Sequence, residues 1–290
     1  MLRNGRCWIR STIAAIAVVS ACAARPSLLR ALIQEREYFS PSSNATLPFA
    51  LFVPPSLNDA LPAPLVIALH GLGDTPLHIL RYPGLVDLAA EHRYIVVAPM
   101  GYSIRGWYGA PIPSNKKVVG DPDDLPMRSE ADVLDVIALV SSELSIDARR
   151  VYILGHSMGG GGAWHLALKL PGRFAAIAAI APAPLLVRAR TDVERLRSLP
   201  VILVQGSADR QIPPRGARQW ARLLRSVGAP HRYLEIQGAT HITAAHRGLP
   251  AIFAFFDRHP PRAVPKPKQS PKAEDTPRGA LPVDIATERL

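Results

Sequence analysis

The chain has 290 residues, 48% of them hydrophobic and 20% charged, which is the balance of a soluble globular protein with one large domain or two small ones. Its formal charge of +11 is dispersed: Arg3, Arg6 and Arg10 account for three bases, and the tail from Pro260 adds six bases against four acids. No basic helix or aromatic-interleaved basic run stands between them, so nucleic-acid binding is set aside.

In chain order, a targeting segment comes first. The three arginines precede a short apolar stretch of small residues, STIAAIAVVSA (11–21). A spanning helix needs about 20 apolar residues, so residues 1–21 are expected to be a secretory signal rather than structure. Val19-Ser20-Ala21-Cys22 is similar to the lipobox of bacterial lipoproteins, in which the cysteine is lipidated and becomes the first mature residue. The chain has only two cysteines, Cys7 and Cys22. Removing the signal leaves Cys22 without a disulfide partner, and a lipid thioether accounts for it. Cleavage after Ala21, Ala23 or Ala24 by the ordinary signal peptidase is the alternative. The expected location is therefore outside the cytoplasm, anchored to the envelope membrane through Cys22 or, failing that, periplasmic or secreted.

Residues 22–34 read as a tether, and 35–259 as one domain. EREYFS (35–40) and LPFALFVP (47–54) read as a hairpin around a turn. PLVIALHG (64–71) and YIVVAP (94–99) are apolar runs bounded by turns, as buried strands are, and 77–92 between them suits a helix. SEADVLDVIALVSSEL (129–144) has helical spacing with Ser129 at its N-cap. RVYILG (150–155) is a strand followed by a helix, and FAAIAAIAP (174–182) and PVILVQGS (200–207) are further strands. PRGARQWARLLRSVG (214–228) is a helix, HRYLEIQG (231–238) a strand, and LPAIFAFFDRH (249–259) a closing helix. Strands alternating with helices predict an α/β fold, a mostly parallel sheet with helices on both faces. Only about 18 residues separate two of the strands, room for one helix and not for a large cap domain. The tail 260–290 holds seven prolines and is expected to stay disordered.

Gly155-His156-Ser157-Met158-Gly159 lies between a predicted strand and a predicted helix. Gly-x-Ser-x-Gly in that setting is a nucleophile elbow, a turn so tight that only glycine fits beside the serine. Serine needs a base to become a nucleophile, and in this arrangement the acid and then the histidine follow it in the chain. Asp209 follows the strand 200–205 in a polar loop and fits the acid better than Asp192, Glu194 or Glu235. His241 follows the last strand and fits the base better than His246 or His231. The oxyanion donors would be the backbone N–H groups of Met158, after the serine, and Leu72, in the glycine-rich loop 70–75. Trp107 and Tyr108, on the loop leaving the strand 94–99, are expected to line the substrate pocket. No histidine–carboxylate cluster has ligand spacing, so neither metal nor cofactor is implied.

On PLVIALHGLGD, GWYGAP, SEADVLDVI, RVYILGHSMGGGGAW, VQGSADRQIP and GATH, the region 45–258 resembles the α/β-hydrolase superfamily, and within it the group of polyhydroxybutyrate depolymerases and feruloyl esterases. The resemblance implies a Ser157–His241–Asp209 triad, an acyl-enzyme intermediate and a small-molecule or polymeric ester as substrate. Secreted members of that group often carry several cysteines and separate substrate-binding modules, which this chain lacks. A serine peptidase on the same triad is the first alternative, and a non-catalytic envelope binding protein the second.

Overall fold

The structure is a computed structural model that describes residues 28–57, 61–184 and 190–259. The expected signal 1–21, residues 22–27 of the tether with Cys22, and the tail 260–290 lie outside the described residues. The part of the tether that is described is docked, because Leu29 and Ile33 pack against the core.

Eight strands form one sheet. They are β1 (Gln34–Ser40), β2 (Ala45–Phe52), β3 (Ala63–Leu69), β4 (Ile95–Pro99), β5 (Ile146–His156), β6 (Ala176–Ile180), β7 (Val201–Gly206) and β8 (His231–Ile236), in the spatial order β1-β2-β4-β3-β5-β6-β7-β8. The hairpin β1–β2 and the pair β2–β4 are antiparallel, and every other pairing is parallel. This is the expected α/β fold. Strands β3, β4, β6 and β7 are buried at every residue, which is why they read as unbroken apolar runs: a parallel strand covered on both faces has no solvent side to alternate with.

The two faces carry separate cores. Leu65, Ile67 and Leu69 of β3 point to one, built with α3 (Leu125–Glu143), α4 (Met158–Lys169) and α6 (Arg215–Ser226). There Trp164 of α4 stacks on Trp220 of α6 at 4.4 Å between ring centres, a pairing worth about 0.5–1.5 kcal/mol beyond its area. Val66 and Ala68 point to the other core, built with α1 (Pro76–Leu80), α2 (Leu85–His92) and α7 (His241–Asp257). Between β6 and β7 the described residues contain one short helix, α5 (Arg190–Glu194).

Three helices differ from expectation. The segment 77–92 is two helices, because the chain turns at Pro83-Gly84, where Gly84 has φ +87°. α3 starts at Leu125, four residues before Ser129, so Ser129 is inside the helix and buried. α7 starts at His241, eight residues before Leu249. Thr240 and Thr243 cap it reciprocally, and Pro250 is accommodated within it.

Candidate active site

Ser157 follows β5 and caps the start of α4 with φ +58° and ψ −116°, a conformation that costs a non-glycine residue about 1–3 kcal/mol. The surroundings enforce it. Ser157 N–H donates to Ile180 O at 2.9 Å, and Ser157 O accepts from Ala183 N at 2.8 Å and Gly161 N at 3.1 Å. A Cβ on Gly155 would overlap the Gly159 carbonyl, and one on Gly159 would overlap the Leu69 carbonyl. The two glycines therefore have a steric reason, and the turn lifts the serine into the concavity at the carboxyl ends of the parallel strands.

Asp209 and His241 come together. His241 Nδ1 donates to Asp209 Oδ2 at 2.7 Å, with both side chains almost wholly buried. The same Oδ2 accepts Gln205 Nε2–H at 3.0 Å, and Oδ1 accepts the Gln211 and Ile212 N–H groups, each at 2.9 Å. Four donors thus fix the carboxylate. Since it accepts at Oδ2, His241 carries its hydrogen on Nδ1 and its lone pair on Nε2. Gln205, which sequence reasoning passed over, is the inward-turned polar residue of an otherwise apolar strand, and that was its signal. His246 is elsewhere: it packs on Tyr82, with ring centres 5.2 Å apart. Glu235 is occupied by Arg218 and the Tyr233 hydroxyl.

Ser157 and His241 face one cavity of about 420 Å³, with Leu72, Trp107, Met158 and Ile242 among its walls. That volume is within the range of small-molecule sites, about 300–1,000 Å³. Among the described residues, no protein group accepts the backbone N–H of Leu72 or Met158. The Met158 N–H also belongs to the first turn of α4, whose amides point outward along the helix axis.

Trp107 and Tyr108 part company. Both have positive φ, +62° and +52°, and the kink sends the rings to different places. Trp107 walls the cavity. Tyr108, expected there too, is instead fully buried beneath the loop 70–75. Its hydroxyl accepts His70 N–H at 3.1 Å, so it braces the backbone that leads to Leu72. Helix α3 holds this kinked segment. Ser129 Oγ accepts Tyr108 N–H at 2.8 Å, and Asp132 accepts the Gly101 and Tyr102 N–H groups and the Tyr38 hydroxyl. Burial pushes the Asp132 carboxyl upward against these donors. Ser129 thus serves a tertiary contact, which is why it does not cap the helix.

Among the described residues, no three His, Cys, Asp or Glu side chains are grouped to hold a metal ion. The family model named Esterase, described as "Putative esterase", matches residues 40–245. S-formylglutathione hydrolase of Rattus norvegicus is 31% identical over 156 residues, covering 50% of this chain and 55% of that protein. The chain thus spans about half the length of the curated relatives it matches. A thermostable esterase superposes with a TM-score of 0.62 at 23% identity, over 79% of this chain and 64% of that one. A ferulic acid esterase superposes with a TM-score of 0.62 at 19% identity, over 78% of this chain and 97% of that one. At these identities the two structures share the fold.

Proposed function

The chain belongs to the Esterase family, whose model spans residues 40–245, and from that premise we propose that it is a serine hydrolase of carboxylic esters acting through Ser157, His241 and Asp209. The observation that carries this is the strained Ser157 opening on the same cavity as a histidine whose Nδ1–H is held by a four-donor carboxylate. His241 Nε2 takes the Ser157 proton as Oγ attacks the ester carbonyl carbon. The carbonyl oxygen becomes an oxyanion, accepted by the N–H groups of Leu72 and Met158. Collapse breaks the bond to the leaving group, which departs with the proton from His241. Water then attacks the acyl-enzyme and gives a proton to the same Nε2, which passes it to Ser157 Oγ as the acyl–oxygen bond breaks and the acid is released.

The test is labelling by a fluorophosphonate followed by peptide mapping, beside turnover of matched oxygen esters, thioesters and amides. Thioesters belong in the panel because a 31% identical relative is named S-formylglutathione hydrolase. Feruloyl and hydroxybutyrate esters probe the polymer-related resemblance. Label on Ser157 with ester or thioester turnover supports the proposal. Label elsewhere, or amides cleaved faster than matched esters, defeats it.

Trp107 contributes to substrate binding in this scheme, since its indole walls the cavity at the end of a kinked, braced segment. Trp107→Leu is expected to raise KM by up to about tenfold, the equivalent of about 1.4 kcal/mol of lost apolar contact, and to leave kcat nearly unchanged. Equal loss in kcat and kcat/KM would assign the ring to the transition state instead.

The protein is further proposed to be exported and held at a membrane by a lipid on Cys22, on the sequence features of residues 1–22. Cys22→Ser is expected to move the protein from the membrane to the soluble fraction on cell fractionation. A variant as membrane-bound as its parent would overturn the anchor.

A further inference from the structure

The residue before the nucleophile is a histidine that the steps above do not use. His156 is 2% exposed. Its Nε2 lies 3.2 Å from the His241 carbonyl oxygen, and its Nδ1 lies 2.9 Å from the Tyr82 hydroxyl. The His156 and His241 rings cross at 4.6 Å between centres. A carbonyl oxygen can only accept, so Nε2 of His156 carries the hydrogen and Nδ1 the lone pair. Tyr82 therefore donates to Nδ1. A phenol has one hydrogen, so Asp74 Oδ2, 3.3 Å away, does not receive it at the same time. Asp74 is engaged through Oδ1, by Thr75 N–H at 2.8 Å and His78 Nδ1 at 2.5 Å.

We propose that His156, with its ring held in place by the Tyr82 hydroxyl, is a positioning residue for the base, tying the backbone of His241 to the strand end that carries Ser157. This rests on the reading of His241 as the base. His241 is the first residue of α7, and the loop before it is tied to the end of β7 rather than to β5, Gly238 N–H donating to Ser207 Oγ at 2.8 Å and Ala208 N–H to Ala239 O at 3.0 Å. The bond from His156 crosses from β5 to α7 directly, so the residue adjoining the nucleophile and the backbone of the base move together. The other tautomer of His156 would set a nitrogen lone pair against the carbonyl lone pairs and push the two elements apart. Several titratable groups surround His156: Tyr82, with Asp74 and His78 behind it, His241 with Asp209, and His246 across the Tyr82 ring. Burial, reinforced by His241, holds the His156 imidazole down at about 3. It stays neutral through the working range and adds no charge beside the imidazolium that forms on His241.

Three variants of the full chain test this. Tyr82→Phe removes one oxygen, His156→Leu removes both ring nitrogens, and His156→Gln keeps an amide N–H within reach of the His241 carbonyl. In the first two, kcat on a p-nitrophenyl ester should fall by about 10- to 100-fold, the scale of a misplacement near 1 Å. Tyr82 and His156 also contribute to the cavity wall, so KM should shift a few-fold at most and by less than kcat, because Trp107 and the rest of the lining stay in place. His156→Gln should recover most of the loss. The low-field proton NMR resonance of His241 Nδ1–H, which requires no turnover, should broaden in the first two and persist in the third. Parental kcat and an unchanged resonance in Tyr82→Phe would overturn the proposal, as would His156→Gln as impaired as His156→Leu. Ser157→Ala is run alongside. Residual ester turnover in that variant sinks the serine-hydrolase reading alone, while the resonance still reports on His156.

Discussion

Ser157→Ala and His241→Ala should each remove ester turnover by about 10⁴- to 10⁶-fold, and the double variant should be little worse than either, because residues that act as a unit are far from additive. Without Ser157 no acyl-enzyme forms, and without His241 the hydroxyl keeps its proton. Asp209→Asn is the sharper test, since its outcome follows from the four donors around that carboxylate. Two of them, the Gln211 and Ile212 N–H groups, require an oxygen, so the amide oxygen turns to that side. The new NH₂ then faces His241 Nδ1 and forces it to accept, which puts the hydrogen on Nε2, where the lone pair is needed. The expected loss is roughly 10⁴ in kcat, about 5 kcal/mol of barrier at 1.36 per decade. The fold should survive because the side chain keeps its size and Gln205 Nε2–H, losing its partner at that atom, still donates to the Ile212 carbonyl at 3.0 Å. His246→Ala is the control and should be mild. Turnover of each variant is measured beside circular dichroism. If His246→Ala abolished activity and His241→Ala kept it, the base would be misassigned, and if Ser157→Ala kept it the nucleophile would be.

The residues that were legible in the sequence are those that a backbone turn constrains. Gly155 and Gly159 are forced by carbonyls that a Cβ would overlap, so the elbow announces itself in five letters. The strands were legible because burial on both faces leaves no polar residue to interrupt them. What escaped is what tertiary contact decides. Ser129 resembles a helix cap by its local sequence, but the Tyr108 amide claims it from 21 residues away. The start of α7 was hidden by Gly248 and Pro250, which locally suggest a break, while the Thr240–Thr243 cap and packing on the core carry the helix through them. Tyr108 could not be separated from Trp107 because two consecutive positive φ angles are invisible in letters.

Acidification should destabilise the fold through His156. The imidazole titrates near 6.5 in the unfolded chain and is held at about 3 in the native state, by burial first and the neighbouring His241 second. Above 6.5 both states are neutral and the group has no effect on stability. Between about 6.5 and 3 the unfolded chain binds a proton that the native state refuses, so stability is lost as pH falls. At 1.36 kcal/mol per pH unit the full window amounts to about 5 kcal/mol, comparable to the whole stability of a marginal domain. His70, also buried, is pushed in the same direction by desolvation, partly opposed by the Gly71 and Met100 carbonyls beside its ring nitrogens. His156→Gln removes the His156 contribution and leaves that of His70. Urea midpoints of parent and variant, measured from pH 7.5 to 4.5, should therefore diverge below pH 6.5, the parent losing about 2 kcal/mol relative to the variant by pH 5. A difference between the two that stays constant across that range would mean that His156 accepts its proton in the native state. It would then stand as a charge beside His241 rather than as its neutral neighbour.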